Sequence, residues 1–128
     1  MSGHDSQTDI PLLDADQIEM LAESGSEDSL DLFAEILELF EQESQIKIEE
    51  LRQLRDSGSY DNMGRAAHAL AGSSANIGGL RVWRKAKDIE NLCKNASGPE
   101  AAAELDNLEA LYGETLQALR RFAQTGKL

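Results

Sequence analysis

The sequence predicts an all-α protein, an antiparallel up-down-up-down four-helix bundle with an additional short N-terminal helix. Three observations carry that expectation. Apolar residues recur at three- and four-residue steps through every long segment. Nothing alternates with the period of two that marks a strand. The breaks between segments are short and hold glycine, so successive helices must be antiparallel neighbours.

The elements follow in order. Residues 1–9 are polar and aperiodic and are expected to form a disordered tail, with His4 in it and outside any chemistry. Residues 10–125 then form one helical domain. Asp14 is placed to cap a short helix, with Gln17 at the third position completing a capping-box-like arrangement. Ile18, Leu21 and Ala22 share one side of that helix, which ends near Ser24-Gly25. A long second helix carries Leu30, Phe33, Leu37, Phe40, Ser44, Ile48, Leu51 and Leu54 at the helical period and stops at Asp56-Ser57-Gly58. Ser59 is a candidate cap for a third helix reaching about Asn76, broken by Gly78-Gly79. A fourth, over roughly 80–95, turns Val82, Ala86, Ile89 and Cys93 inward. Ser97-Gly98-Pro99 ends it and starts the last helix, with proline in the first turn; that helix buries residues from Ala101 to Phe122.

Composition narrows the function classes. At 128 residues the chain suits one domain with one core. No apolar run approaches the ~18 residues of a membrane span, and the N-terminus lacks a signal-peptide pattern, so cytoplasmic residence is expected. The single Cys93 excludes an internal disulfide or a multi-cysteine metal site and reads as a buried structural thiol. The net charge of −12 argues against nucleic acid. Charge is unevenly placed, however: residues 62–98 hold six Lys/Arg and two Asp/Glu, a local +4 inside an otherwise acidic chain. Such a segment suits an anionic partner or a phosphoryl group, or is an ordinary solvated helix face.

The third helix holds the most informative stretch, with His68 surrounded by small residues. Gly64 and Arg65 lie one turn before it, Ala71 and Gly72 one turn after. A glycine in a helix interior costs roughly 1 kcal/mol relative to alanine, so two of them beside one imidazole need a reason. Steric access is the expected one. Met63, Ala66, Leu70, Ser73 and Ile77 mark the inward face. Leu70 lies about 200° around the helix from His68, so His68 is expected to face solvent.

The run His68, Ala69, Leu70, Ala71, Gly72, Ser73, Ser74, Ala75, Asn76, Ile77, Gly78 resembles the motif His-x-Leu-Lys-Gly-Ser-Ser-x-x-x-Gly of histidine-containing phosphotransfer (HPt) domains from two-component phosphorelays. The resemblance extends from about Leu12 to Phe122 and includes Asp61 at the start of the histidine helix. It implies a phosphorelay intermediate in which His68 takes a phosphoryl group from a receiver-domain aspartate and passes it to another. The partners implied are response-regulator receiver domains and a hybrid sensor histidine kinase. No cofactor of its own is implied, since the Mg²⁺ is expected on the receiver. The chain departs from the motif at Ala71, where the family has a lysine that helps hold the phosphoryl group.

Antiparallel packing sets residues near 87 to 90 level with His68, where Trp83, Lys87, Glu90 and Lys94 form one stripe. Lys87 is the first candidate for the missing cation, ahead of Lys94, Arg84 and Arg65. Asn76, Ser73 and Ser74 are placed to orient the ring or to cap backbone carbonyls, and for the two serines helix packing is the favoured role. An imidazole is nucleophilic at neutral pH, and this chain need only present one on a rigid helix. It is read as a carrier, not an enzyme, because no Gly-x-x-x-x-Gly-Lys loop offers an ATP site. A di-metal bundle fails because position 65, three before His68, is arginine. No helix face demands a dimer, so a monomer is expected. The competing reading is an acidic interaction module that binds a signalling partner without phosphorylation.

Overall fold

Apolar periodicity becomes five helices: α1 (Ala15–Glu23), α2 (Ser29–Ser57), α3 (Tyr60–Ile77), α4 (Leu80–Lys94) and α5 (Gly98–Thr125). The structure, a computed structural model, describes residues 10–23 and 29–128. The tail expected over 1–9 and the stop expected at Ser24-Gly25 lie outside the described residues. Helices α2 to α5 form the four-helix bundle, each packed on its neighbour in sequence, with α5 closing the ring against α2. Among the described residues the one strand-like feature is an isolated bridge between Leu13 and Gly79.

The inward faces meet in one core. Phe33, Ile18, Leu51, Met63, Leu70, Ile89, Leu105, Leu108 and Leu119 are its largest fully buried apolar side chains. Phe33 meets Phe122 edge to face with centroids 5.1 Å apart, the geometry that aromatic quadrupoles prefer. Ser44 sits in the α2 stripe at no polar cost, because its hydroxyl donates to the Phe40 carbonyl at 2.6 Å and pairs with Tyr112 Oη at 2.5 Å.

Helix α3 buries a wider arc than its apolar residues mark. It lies between α2 and α4, so a second stripe of small residues (Gly64, Ala67, Ala71 and Ser74) is buried as well. Ser74 is fully buried, whereas Ser73, assigned inward from the sequence, is half-buried and donates to the Leu70 carbonyl at 3.2 Å.

The α3–α4 turn anchors α1. Gly78 takes φ +89°, and the Gly78 and Gly79 amides donate to the Ala75 and Ser74 carbonyls, closing α3 in a left-handed cap. A Cβ at Gly78 would lie 2.7 Å from Ile18 Cγ1. The Asp14 amide donates to the Gly78 carbonyl at 2.8 Å, and the Leu80 amide to the Leu12 carbonyl at 3.0 Å. Asp14 caps α1 as expected, accepting from the Gln17 amide at 3.2 Å. The Gln17 side chain does not complete a capping box. It reaches across to the Asn76 carbonyl at 2.8 Å and satisfies one of the end carbonyls of α3. Ser59 stands at the N-cap of α3 but makes no capping bond; its hydroxyl pairs with Ser57 Oγ at 3.1 Å.

Candidate functional site

The site begins at the seam between α3 and α4. Val82, Ala86, Ile89 and Cys93 turn into the bundle, and Glu90, four residues after Ala86, follows the same phase and is buried. An unpaired carboxylate there would be costly to bury. Glu90 is instead surrounded by donors. Lys87 Nζ lies 2.9 Å from Oε1, Lys94 Nζ 3.1 Å from Oε2, and His68 Nδ1 2.9 Å from the same Oε2. Burial pushes the Glu90 carboxyl upward, but the two ammonium groups and the imidazole outweigh it and hold the group at about 2. Glu90 is therefore an anion and only accepts hydrogen bonds, so His68 Nδ1 carries the proton that joins them.

That proton fixes the chemistry of the ring. With Nδ1–H pointed at a side chain only 5% exposed, the neutral imidazole has its lone pair on Nε2. The His68 side chain is 67% exposed, and Nε2 has no hydrogen-bond partner among the described residues. The arrangement presents an oriented nucleophile on a rigid helix, with a buried anion behind it to stabilise positive charge on the ring. It stands at a depression of about 390 Å³ lined by Asp61, Gly64, Arg65, His68, Glu90, Cys93 and Lys94.

The structure brings some of the sequence candidates together and separates others. Arg65 and Lys94 line the depression with His68, and Arg65 also donates to Asn62 Oδ1 at 3.3 Å. Lys87 reaches the far oxygen of Glu90 and lies outside the lining. Arg84 lies away from the site, with its guanidinium 5.4 Å from the Trp83 ring centroid.

The small residues around His68 need a correction. Ala71 is 2% exposed, turned into the bundle rather than toward a partner. Gly64 is also buried, and a Cβ there would lie 3.0 Å from Cys93 Cβ. The glycine serves the close approach of α3 to α4, which lets His68 and Glu90 meet, and it also lines the depression beside the ring. Of Gly64, Ala71 and Gly72, only Gly72 is exposed, and a Cβ there would touch nothing within 4 Å. Cys93 is buried as expected, and burial together with the Asp61 carboxylate raises its thiol.

Glu90 is the residue that sequence reasoning passed over. It stood in the stripe with Lys87 and Lys94, but only as a member of it. The available signal was an acid at a core-phase position with lysines three before and four after, level with the histidine. Among the described residues, no group of three or more His, Cys, Asp or Glu side chains is placed to hold a metal ion. Nor is any described helix long and apolar enough to cross a membrane.

Comparisons with known proteins bear on the family and the fold. The family model of the Hpt domain matches residues 35–123. No curated protein matches the chain by sequence at a significant level. Solved structures do match. A histidine-containing phosphotransfer protein from rice is 22% identical with a TM-score of 0.70, over 94% of this chain and 88% of that one. One from Medicago truncatula is 20% identical with a TM-score of 0.71, over 94% and 85%. One from maize is 26% identical with a TM-score of 0.68, over 91% and 88%.

Proposed function

The chain belongs to the Hpt domain family and acts as a phosphorelay intermediate; on that premise we propose that His68 Nε2 is the atom that carries the phosphoryl group. The observation that carries this reading is the buried, ionised Glu90 carboxylate 2.9 Å from Nδ1. It holds the ring in the tautomer whose free electron pair is on Nε2.

The donor is a phospho-aspartate on a receiver domain. The Nε2 lone pair attacks phosphorus, the P–O bond to the aspartate breaks, and the aspartate leaves as a carboxylate. The Nδ1 proton stays on the ring, and Glu90 faces the positive charge that the new P–N bond creates there. A second receiver reverses the step. Its aspartate attacks phosphorus, and the Nε2–P electron pair returns to the ring. Retaining the Nδ1 proton makes the imidazole the better leaving group in that direction. The Mg²⁺ that phosphoryl transfer uses belongs to the receivers, and this chain is a monomeric carrier without a kinase site. We place it in the cytoplasm beside receiver domains and a hybrid sensor kinase.

The test is incubation with a phosphorylated receiver domain, following the label onto this chain. Transfer that is acid-labile, base-stable and lost in His68→Gln supports the reading. A folded protein that binds the receiver but takes up no label supports the interaction module instead.

A further inference from the structure

We propose that Lys94 is the phosphoryl-binding cation of this chain, held by Glu90 while His68 is unmodified and turned onto the phosphoryl group once His68 carries one. The inference rests on His68 as the carrier and goes beyond it, since transfer alone requires no particular cation.

Four observations carry it. Of the lysines on Glu90, Lys94 lines the depression at His68 and Lys87 does not. Lys94 Nζ and His68 Nδ1 meet at the same oxygen, Oε2, at 3.1 and 2.9 Å, so the ammonium already sits within two hydrogen bonds of the ring. The Lys94 side chain is 66% exposed. A flexible four-carbon stem in solvent can therefore swing to a new anion at little cost in packing. Finally, Lys87 remains on Oε1 when Lys94 leaves, and the phosphorylated ring keeps its Nδ1 proton on Oε2. The buried carboxylate is thus never left unpaired.

Charge around the depression points the same way. Its lining carries Asp61 and Arg65 from α3 and Glu90 and Lys94 from α4, two negative and two positive groups. A dianion added there unbalances the set unless a cation turns to it. Arg65 is engaged with Asn62 on its own helix, whereas Lys94 shares an anion with the very ring that is modified. Loss of Lys94 from Oε2 also leaves that oxygen to Nδ1–H alone, so loading the ring tightens the bond that orients it.

Phosphoramidate tests this without a partner protein. Its P–N bond breaks, its nitrogen leaves as ammonia, and Nε2 supplies the electron pair of the new bond. The ³¹P shift of the loaded protein is then followed across pH to read the second ionisation of the phosphoryl group. A nearby ammonium favours the dianion, so Lys94→Gln should raise the midpoint by about half a unit or more. Lys94→Arg should restore it, and Lys87→Gln should leave it in place. A midpoint unmoved in Lys94→Gln, or moved only in Arg65→Gln, overturns the assignment of Lys94. No phosphorylated product from the wild-type chain overturns the carrier reading itself, and this one with it.

Discussion

His68 and Glu90 face each other across the α3–α4 seam, Nδ1 to Oε2 at 2.9 Å, one side chain largely in solvent and the other buried. The pairing divides the imidazole into an inner nitrogen that holds a proton and an outer one that holds a lone pair. It depends on close helix contact, on a carboxylate in core phase, and on two lysines that keep that carboxylate ionised. Each of these can be perturbed separately.

Glu90→Gln keeps the shape of the residue and removes its charge. The ring loses a charge-assisted hydrogen bond and the stabilisation of its positive form. Phosphoryl uptake should slow by about tenfold, corresponding to roughly 1.4 kcal/mol, while helix content is retained. Rapid-quench transfer from a phosphorylated receiver reads the rate, and an unchanged rate would leave Glu90 a packing residue.

The same group predicts a pH dependence. Its carboxyl is lowered from 4.5 to about 2 in the folded chain, so the unfolded chain binds more protons between those values. The stability Glu90 supplies is therefore complete above about 4.5 and is lost as pH falls toward 2. Urea unfolding at several pH values should show wild type and Glu90→Gln converging across that window. Parallel curves would contradict the depressed carboxyl.

Two glycines should respond in opposite directions. Gly72→Ala meets open space on α3 and should stabilise by about 0.5–1 kcal/mol. Gly64→Ala places a methyl 3.0 Å from Cys93 Cβ, a stiff neighbour. The helices must part, which should outweigh the propensity gain, cost about 1 kcal/mol or more, and slow phosphoryl uptake by His68. Thermal melts of both variants decide it, since equal stabilisation would mean the seam is loose.

Gly78→Ala should cost more than either. Its φ of +89° disfavours a side chain, and the added methyl would meet Ile18. A loss of about 2 kcal/mol is expected, with α1 amides exchanging faster. Protection of the Asp14 amide, bonded to the Gly78 carbonyl, is the sensitive readout.

Much of this architecture is legible in the sequence because it is local. Helical period and the breaks at Ser57-Gly58, Gly78-Gly79 and Ser97-Gly98 place the helix ends that flank those breaks within a residue or two. His68 stands out because glycine inside a helix is costly. What the sequence hides is the relation between helices. Gly64 and Ala71 read as room around the imidazole, and only the position of α4 turns them into a close-packing stripe. Glu90 falls in phase with Val82 and Ala86, yet its charge reads as a reason for exposure. Its burial depends on an imidazole from α3 and two lysines from its own helix acting together. Ser59 occupies a cap position without capping, because its hydroxyl has Ser57 within reach.

On the proposed reading, the buried Glu90 carboxylate fixes His68 so that Nε2 receives the phosphoryl group. The most direct measurement is ¹⁵N and ³¹P NMR of labelled protein after loading from a phosphorylated receiver, which locates phosphorus on a particular ring nitrogen. Phosphorus is expected on His68 Nε2, with a proton retained on Nδ1. Phosphorus on Nδ1, on another residue, or on no residue of the folded chain would contradict it.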